Sequence, residues 1–98
     1  MSEELTGKQK SKLRGMAMNL KPVVTIGKQG LSESVVKELS FALLRTELIK
    51  VRIDAESREA REAVIAEIAE KTGCALCGTV GGTASFFRQS DKKLIKFD

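Results

Sequence analysis

The residues best placed to do chemistry in this 98-residue chain are Gly27-Lys28-Gln29-Gly30. They follow a β-branched, mostly apolar run, Val23-Val24-Thr25-Ile26, and precede Leu31-Ser32, which reads as the opening of a helix. Glycine at both ends of such a loop lets the backbone approach a ligand without Cβ interference. A helix N-terminus adds unpaired N–H groups and the positive end of its dipole. The ligand suited to this combination is a phosphate, and Lys28 places a full charge beside it. No Gly-Lys-Ser/Thr closes the loop, so it is not a P-loop. A contact of this kind holds a phosphate backbone and reads no bases. The spacing alone also fits a plain turn; the strand before, the helix after and the lysine within favour the phosphate reading.

Other chemistries find little support. Zinc needs four ligands, and Cys74-Ala75-Leu76-Cys77 stands without a histidine or a second cysteine pair anywhere in the chain. Redox Cys-x-x-Cys motifs start helices, whereas this one lies between a helix end and a strand. On an extended strand its Cα atoms are about 10 Å apart, too far to bridge. Both cysteines are therefore expected as small buried hydrophobes. The lack of histidine removes the usual general acid–base group. Glu59, Glu62, Glu67 and Glu70 alternate with Arg58, Arg61 and Lys71, as on a solvated helix. No catalytic residue, metal or cofactor is expected. Without tryptophan or tyrosine, base stacking is limited to Phe41, Phe86, Phe87 and Phe97. Phe41 is expected beside a core stripe and one of Phe86 and Phe87 inside, so stacking should be weak.

The elements that must position the loop are legible from caps and periodicity. Thr6-Gly7-Lys8-Gln9 is a capping box for a helix to about Met18, with Leu13, Met16, Ala17 and Leu20 on or near its apolar side. Pro22 ends it and Val23–Ile26 forms a short strand. Ser32 caps a second helix, with Leu31 stapled to Val36 and Leu31, Val35, Val36, Leu39, Ala42 and Leu43 as its buried stripe. Leu48–Ile53 alternates with period two: Ile49, Val51 and Ile53 share one face, Lys50 and Arg52 the other. Ser57 caps a third helix, about Arg58–Thr72, buried through Ala60, Val64, Ile68 and Ile65 and stopped by Gly73. Ala75–Val80 and Thr83–Arg88 make a hairpin about Gly81-Gly82, a turn of the I′ or II′ kind. The tail from about Ser90 is polar, with Leu94, Ile95 and Phe97 as candidates for docking back. The order α-β-α-β-α-β-β predicts an α+β domain, a two-layer sandwich with a mixed four-stranded sheet, helices on one main face and the other face open.

Length and composition fit one domain over residues 1–98, with 42% hydrophobic residues. Short apolar runs argue against a membrane span, and the acidic Met1-Ser2-Glu3-Glu4 does not resemble a secretory leader; the cytoplasm is the expected compartment. The net charge of +4 is unevenly spread. Leu5–Ser32 holds six basic residues and no acidic one, whereas Glu33–Cys74 holds seven basic and nine acidic. A second basic group comprises Arg88, Lys92, Lys93 and Lys96. Such a one-sided distribution suits a polyanionic partner, although a solvated surface is the bland alternative. Lys8, Lys10, Lys12 and Arg14 spread around the first helix, which suggests diffuse attraction.

Leu20-Lys21-Pro22-Val23-Val24, Ile26-Gly27-Lys28-Gln29-Gly30-Leu31-Ser32, Glu47-Leu48-Ile49-Lys50-Val51 and Phe87-Arg88, in this order and spacing, resemble the CRM domain (chloroplast RNA splicing and ribosome maturation) in its stand-alone bacterial, YhbY-like form. The resemblance covers Thr6 to Arg88. It implies a fold similar to the C-terminal domain of bacterial translation initiation factor three, RNA binding, and association with precursors of the large ribosomal subunit. It places RNA contacts on Gly27, Lys28, Gln29, Gly30 and Lys50. Phe87 stands where the family commonly has tyrosine, and Gln89 where proline is frequent; neither touches the loop.

The expected function is thus that of a monomeric ribosomal-RNA-binding assembly protein, with Lys8, Lys12, Lys21, Arg52 and Arg88 flanking the loop and Lys50. Two rivals remain at this point: a small nucleotide-binding or phosphoryl-transfer enzyme using the same loop, and a protein–protein adaptor using the open sheet face.

Overall fold

The computed structural model describes residues 5–97, so the leader expectation drawn from residues 1–4 lies outside the described residues. Each helix begins at its sequence-encoded cap. Helix α1 (Gly7–Ala17) has the full capping box: Thr6 Oγ1 accepts from Gln9 N at 3.1 Å, and Thr6 N donates to Gln9 Oε1 at 2.9 Å. Strand β1 (Val24–Ile26) is one residue shorter than the apolar run, but Val23 N still donates to Lys50 O at 2.8 Å. Ser32 Oγ caps α2 (Glu33–Thr46) by accepting from Val35 N, and Ser57 Oγ caps α3 (Arg58–Thr72) by accepting from Ala60 N. Gly73, with φ 65°, ends α3 as a left-handed C-cap. Between the helices lies β2 (Leu48–Ile53); β3 (Ala75–Val80) and β4 (Thr83–Phe87) form the hairpin. Gly81 takes φ 58° at its tip, the II′ pattern.

The sheet has the order β1-β2-β4-β3. β1 and β2 are parallel, with Val24 opposite Val51 and Ile26 opposite Ile53, and α2 is their crossover. The other two pairings are antiparallel. One face carries Ile26, Ile49, Val51, Ile53, Ala84 and Phe86, which pack with Leu39 and Leu43 of α2 and Ile68 of α3. Leu31 and Val35 close this cluster beneath the glycine loop. The contribution of α3 starts at Val64; Ala60, expected inside, is exposed in the first turn.

The second face departs from the expected two-layer arrangement with one open side. Leu13 and Ala17 of α1 pack there on Leu48, Cys77 and Phe87, with Leu5, Ile95 and Phe97 around them. The fold is therefore three-layered over part of the sheet, and its reason is local. Leu48 and Phe87 are directly opposed in register and put apolar bulk on a face where Lys50 and Arg52 suggest solvent. Cys77 reaches this second cluster by alternation from Ala75, and the bulge between Leu76 and Gly78 turns Gly78 to the same face, opposite Ser85. Gly78 then lets α1 come close, since a Cβ there would stand 2.5 Å from Arg14 Cδ. Phe97 meets Phe87 edge to face with ring centroids 5.5 Å apart, while Leu94 of the same tail stays half exposed. Met16 and Leu20, expected toward the apolar side of α1, are also more than a third exposed.

Candidate nucleic-acid interface

Because β1 and β2 are parallel, their C-terminal ends emerge together. The Gly27–Gly30 loop follows β1, the Asp54–Ser57 connection follows β2, and the β3–β4 turn meets them through Ile53 N donating to Gly82 O. The starts of α2 and α3 face this same end. The glycine loop is a closed turn, with Gly30 N donating to Gly27 O at 3.1 Å. Gly30 takes φ +81°, which only glycine adopts without strain. Gly27 has no such constraint, and a Cβ there would meet open space, so the protein's own packing does not call for glycine at that position. Gly27, Lys28 and Gln29 are exposed. Among the described residues, the N–H groups of Lys28 and Gln29 have no partner within the chain. Lys28 Nζ lies 3.6 Å from Glu56 Oε1, with both side chains about three-quarters exposed. Such a pair is worth little and opens easily. Glu33 in the first turn of α2 tempers the positive helix end, leaving the loop amides and Lys28 as its main anion-directed groups.

The loop continues into a basic strip on the second sheet face. Arg52 lies between Thr25 and Thr83 in register, and Lys50 lies opposite Ser85. The two cations are two residues apart, about 6.7 Å along the strand. α1 and the tail cover the Leu48–Phe87 end of this face and leave the Arg52 end open. Arg52 Nε also lies 3.4 Å from Asp54 Oδ1 in an exposed pair. Lys8 and Lys10 are exposed on α1, and Lys21 on the segment joining α1 to β1.

Two predicted contact residues are engaged elsewhere. Arg88 is half-buried, and its fork donates to Thr72 O at 2.5 Å and Ser40 O at 3.1 Å, tying α3 to α2 away from the strip. Lys12 Nζ donates to Lys96 O and sits 5.7 Å from the centre of the Phe97 ring, holding the tail to α1. The cysteines lie in different clusters, Cys74 with α2 and α3 and Cys77 with α1. Burial pushes the Cys77 thiol up to about 12, with neighbouring Cys74 acting in the same direction and Lys10 and Arg14 against it.

Sequence reasoning missed Glu47. It is fully buried at the C-cap of α2, with φ 68°. Its carboxylate accepts from Ser90 N (2.8 Å), Ser90 Oγ (2.5 Å), Leu94 N (3.0 Å) and Ile95 N (2.8 Å). Burial raises its pKa, but these donors outweigh that effect and hold it below the ordinary 4.5. The apolar tail residues marked the tail as able to dock back, but its backbone N–H groups, which meet Glu47, have no sequence signature.

Comparison with known proteins supplies the family. Residues 5–88 match the CRS1 / YhbY (CRM) domain. A Haemophilus influenzae protein named "RNA-binding protein" is 38% identical over 94% of this chain and 93% of its own length. A Bacillus subtilis protein named "Probable RNA-binding protein" is 34% identical over 88% of this chain and 90% of its own. The solution structure of a Staphylococcus aureus protein superposes with a TM-score of 0.80 at 33% identity, covering 90% and 92% of the two chains. With a family match over residues 5–88 and relatives of 38% and 34% identity along nearly the whole of both chains, this chain belongs to the CRS1/YhbY (CRM) domain family.

Proposed function

We propose that this protein binds RNA by its sugar–phosphate backbone, gripped at Gly27–Gly30 and led along Arg52 and Lys50. The observation that carries this reading is the exposed glycine turn. It combines two unpartnered amides, an exposed cation at Lys28 and a Gly27 that the fold itself does not need. Lys8, Lys10 and Lys21 add longer-range attraction. Arg88 and Lys12 act as structural ties. The relatives' names support RNA as the ligand. In keeping with the CRM resemblance, the RNA is that of the large ribosomal subunit during assembly, met in the cytoplasm by a monomer. The protein acts as a binding module and not as a catalyst.

The test replaces Lys28 and Gln29 together by aspartate and measures affinity for a ribosomal RNA fragment across a salt series. The reading expects several-fold weaker binding, a shallower salt dependence and an unchanged melting temperature. Unchanged affinity would contradict it. Saturable binding of a free mononucleotide that displaces the RNA would favour the enzyme reading instead.

A further inference from the structure

We infer that Phe41 is a stacking platform for one unpaired base of the bound RNA, a role that rests on the backbone reading above. Three of the four phenylalanines are engaged inside: Phe86 is fully buried in the central cluster, and Phe87 and Phe97 pack on each other in the second. Phe41 is 64% exposed. This reverses its expected place beside the core stripe. Its position on α2 is two residues from both Leu39 and Leu43, the buried centre of the helix, which turns it about 160° away from them. An aromatic ring on the solvent pole of a helix gains little for the fold.

Its neighbours indicate what covers it. Lys37 and Arg45, at i−4 and i+4, flank the ring on the same stripe, and both are exposed. Among the described residues neither forms an ion pair. Leu44, 55% exposed, widens the apolar surface, and Glu38 stands at the edge of the arc. A flat ring between two free cations matches a base with its adjoining phosphates: the ring takes the π-face and the cations take the charge. An apolar protein partner would leave both cations to be desolvated without counter-charge. The platform is on the helix that the glycine loop leads into. Phe41 is nine residues from the Ser32 cap on the same helix, about 13.5 Å, the length of about four stacked nucleotides. Since α2 packs on the Ile49–Val51 face and Lys50 and Arg52 lie on the other, a strand held at the loop would reach Phe41 over α2 and not along the basic strip.

The chain has no tryptophan, so Phe41→Trp introduces a single indole at this position. The 98-residue protein, its Phe41→Ala and Phe41→Trp variants and the Lys28→Asp/Gln29→Asp double variant are titrated with a short single-stranded RNA and with its blunt duplex. Phe41→Ala should lose between about fivefold and about 150-fold in affinity for the single strand, with the duplex unaffected. Phe41→Trp should keep the affinity, and its emission should be quenched by the single strand and not by the duplex. Parental single-strand binding by Phe41→Ala, or unchanged Phe41→Trp emission at saturation, overturns the inference. If the double variant is weakened in either case, the failure is confined to Phe41; if neither site matters, the backbone reading fails as well. A parent that self-associates, and a Phe41→Ala variant that does not, would mark this face as a protein interface and also overturn it.

Discussion

Helix α2 meets an anion problem at each end and solves the two differently. At its C-terminal end Glu47 brings its own negative charge inside, and three tail N–H groups and the Ser90 hydroxyl fold around it. At its N-terminal end the Gly27–Gly30 turn offers N–H groups and a lysine to solvent, and among the described residues no buried carboxylate meets them. The first arrangement is closed and fixes the tail over α1. The second is open and costs the fold nothing to leave so. Unpaired donors are tolerated where water reaches them, which is also where an RNA phosphate can replace that water.

Breaking the closed end should have the largest effect. Glu47→Ala leaves four part-buried donors without their acceptor and frees the tail from the Leu13–Phe87 cluster. A loss of roughly 3 kcal/mol in chemical denaturation is expected, with RNA affinity of the folded fraction retained. A loss below about 0.5 kcal/mol would show that the carboxylate is not an anchor.

The same group predicts a pH dependence. Because its folded pKa lies below 4.5, the unfolded chain takes up the proton first as pH falls. The Glu47 contribution is therefore fully present above about 4.5 and is lost as pH drops through the folded value. Melting temperatures measured from neutral pH downward should fall more steeply in the parent than in Glu47→Gln over that acid range. Parallel curves would contradict the assignment.

At the open end a pair of glycine substitutions sharpens the contrast. Gly30→Ala forces a side chain to φ +81° and should cost about 1 kcal/mol of stability. Gly27→Ala meets open space and should leave the melting temperature unchanged while weakening RNA binding, because its methyl stands where the backbone must approach. Loss of stability without loss of binding at Gly27 would give that glycine a structural role instead.

Local signals carried most of the fold. The Thr6–Gln9 box, the Ser32 and Ser57 caps, the Gly73 stop and the alternation of Leu48–Ile53 each depend on neighbours within four residues. What was illegible depends on partners far apart in the chain. Periodicity marks the buried side of α1 but not which sheet face it covers, and that choice turned on the Leu48–Phe87 register and the bulge that turns Gly78 toward α1. Arg88 looked like a free cation because its acceptors, Thr72 O and Ser40 O, are backbone atoms without a sequence signature. Phe41 looked half-inside because a residue beside the stripe by chain order is opposite it by rotation. The glycine loop was legible because strand, turn, lysine and cap are contiguous.

Amide chemical-shift mapping of the full chain during titration with a ribosomal RNA fragment tests the central claim most directly. The account predicts the largest shifts at the Lys28, Gln29 and Gly30 amides, followed by Lys50 and Arg52, with the Ser90, Leu94 and Ile95 amides around Glu47 unmoved. Saturating RNA that shifts α3 or the tail and leaves the glycine loop unchanged would contradict it.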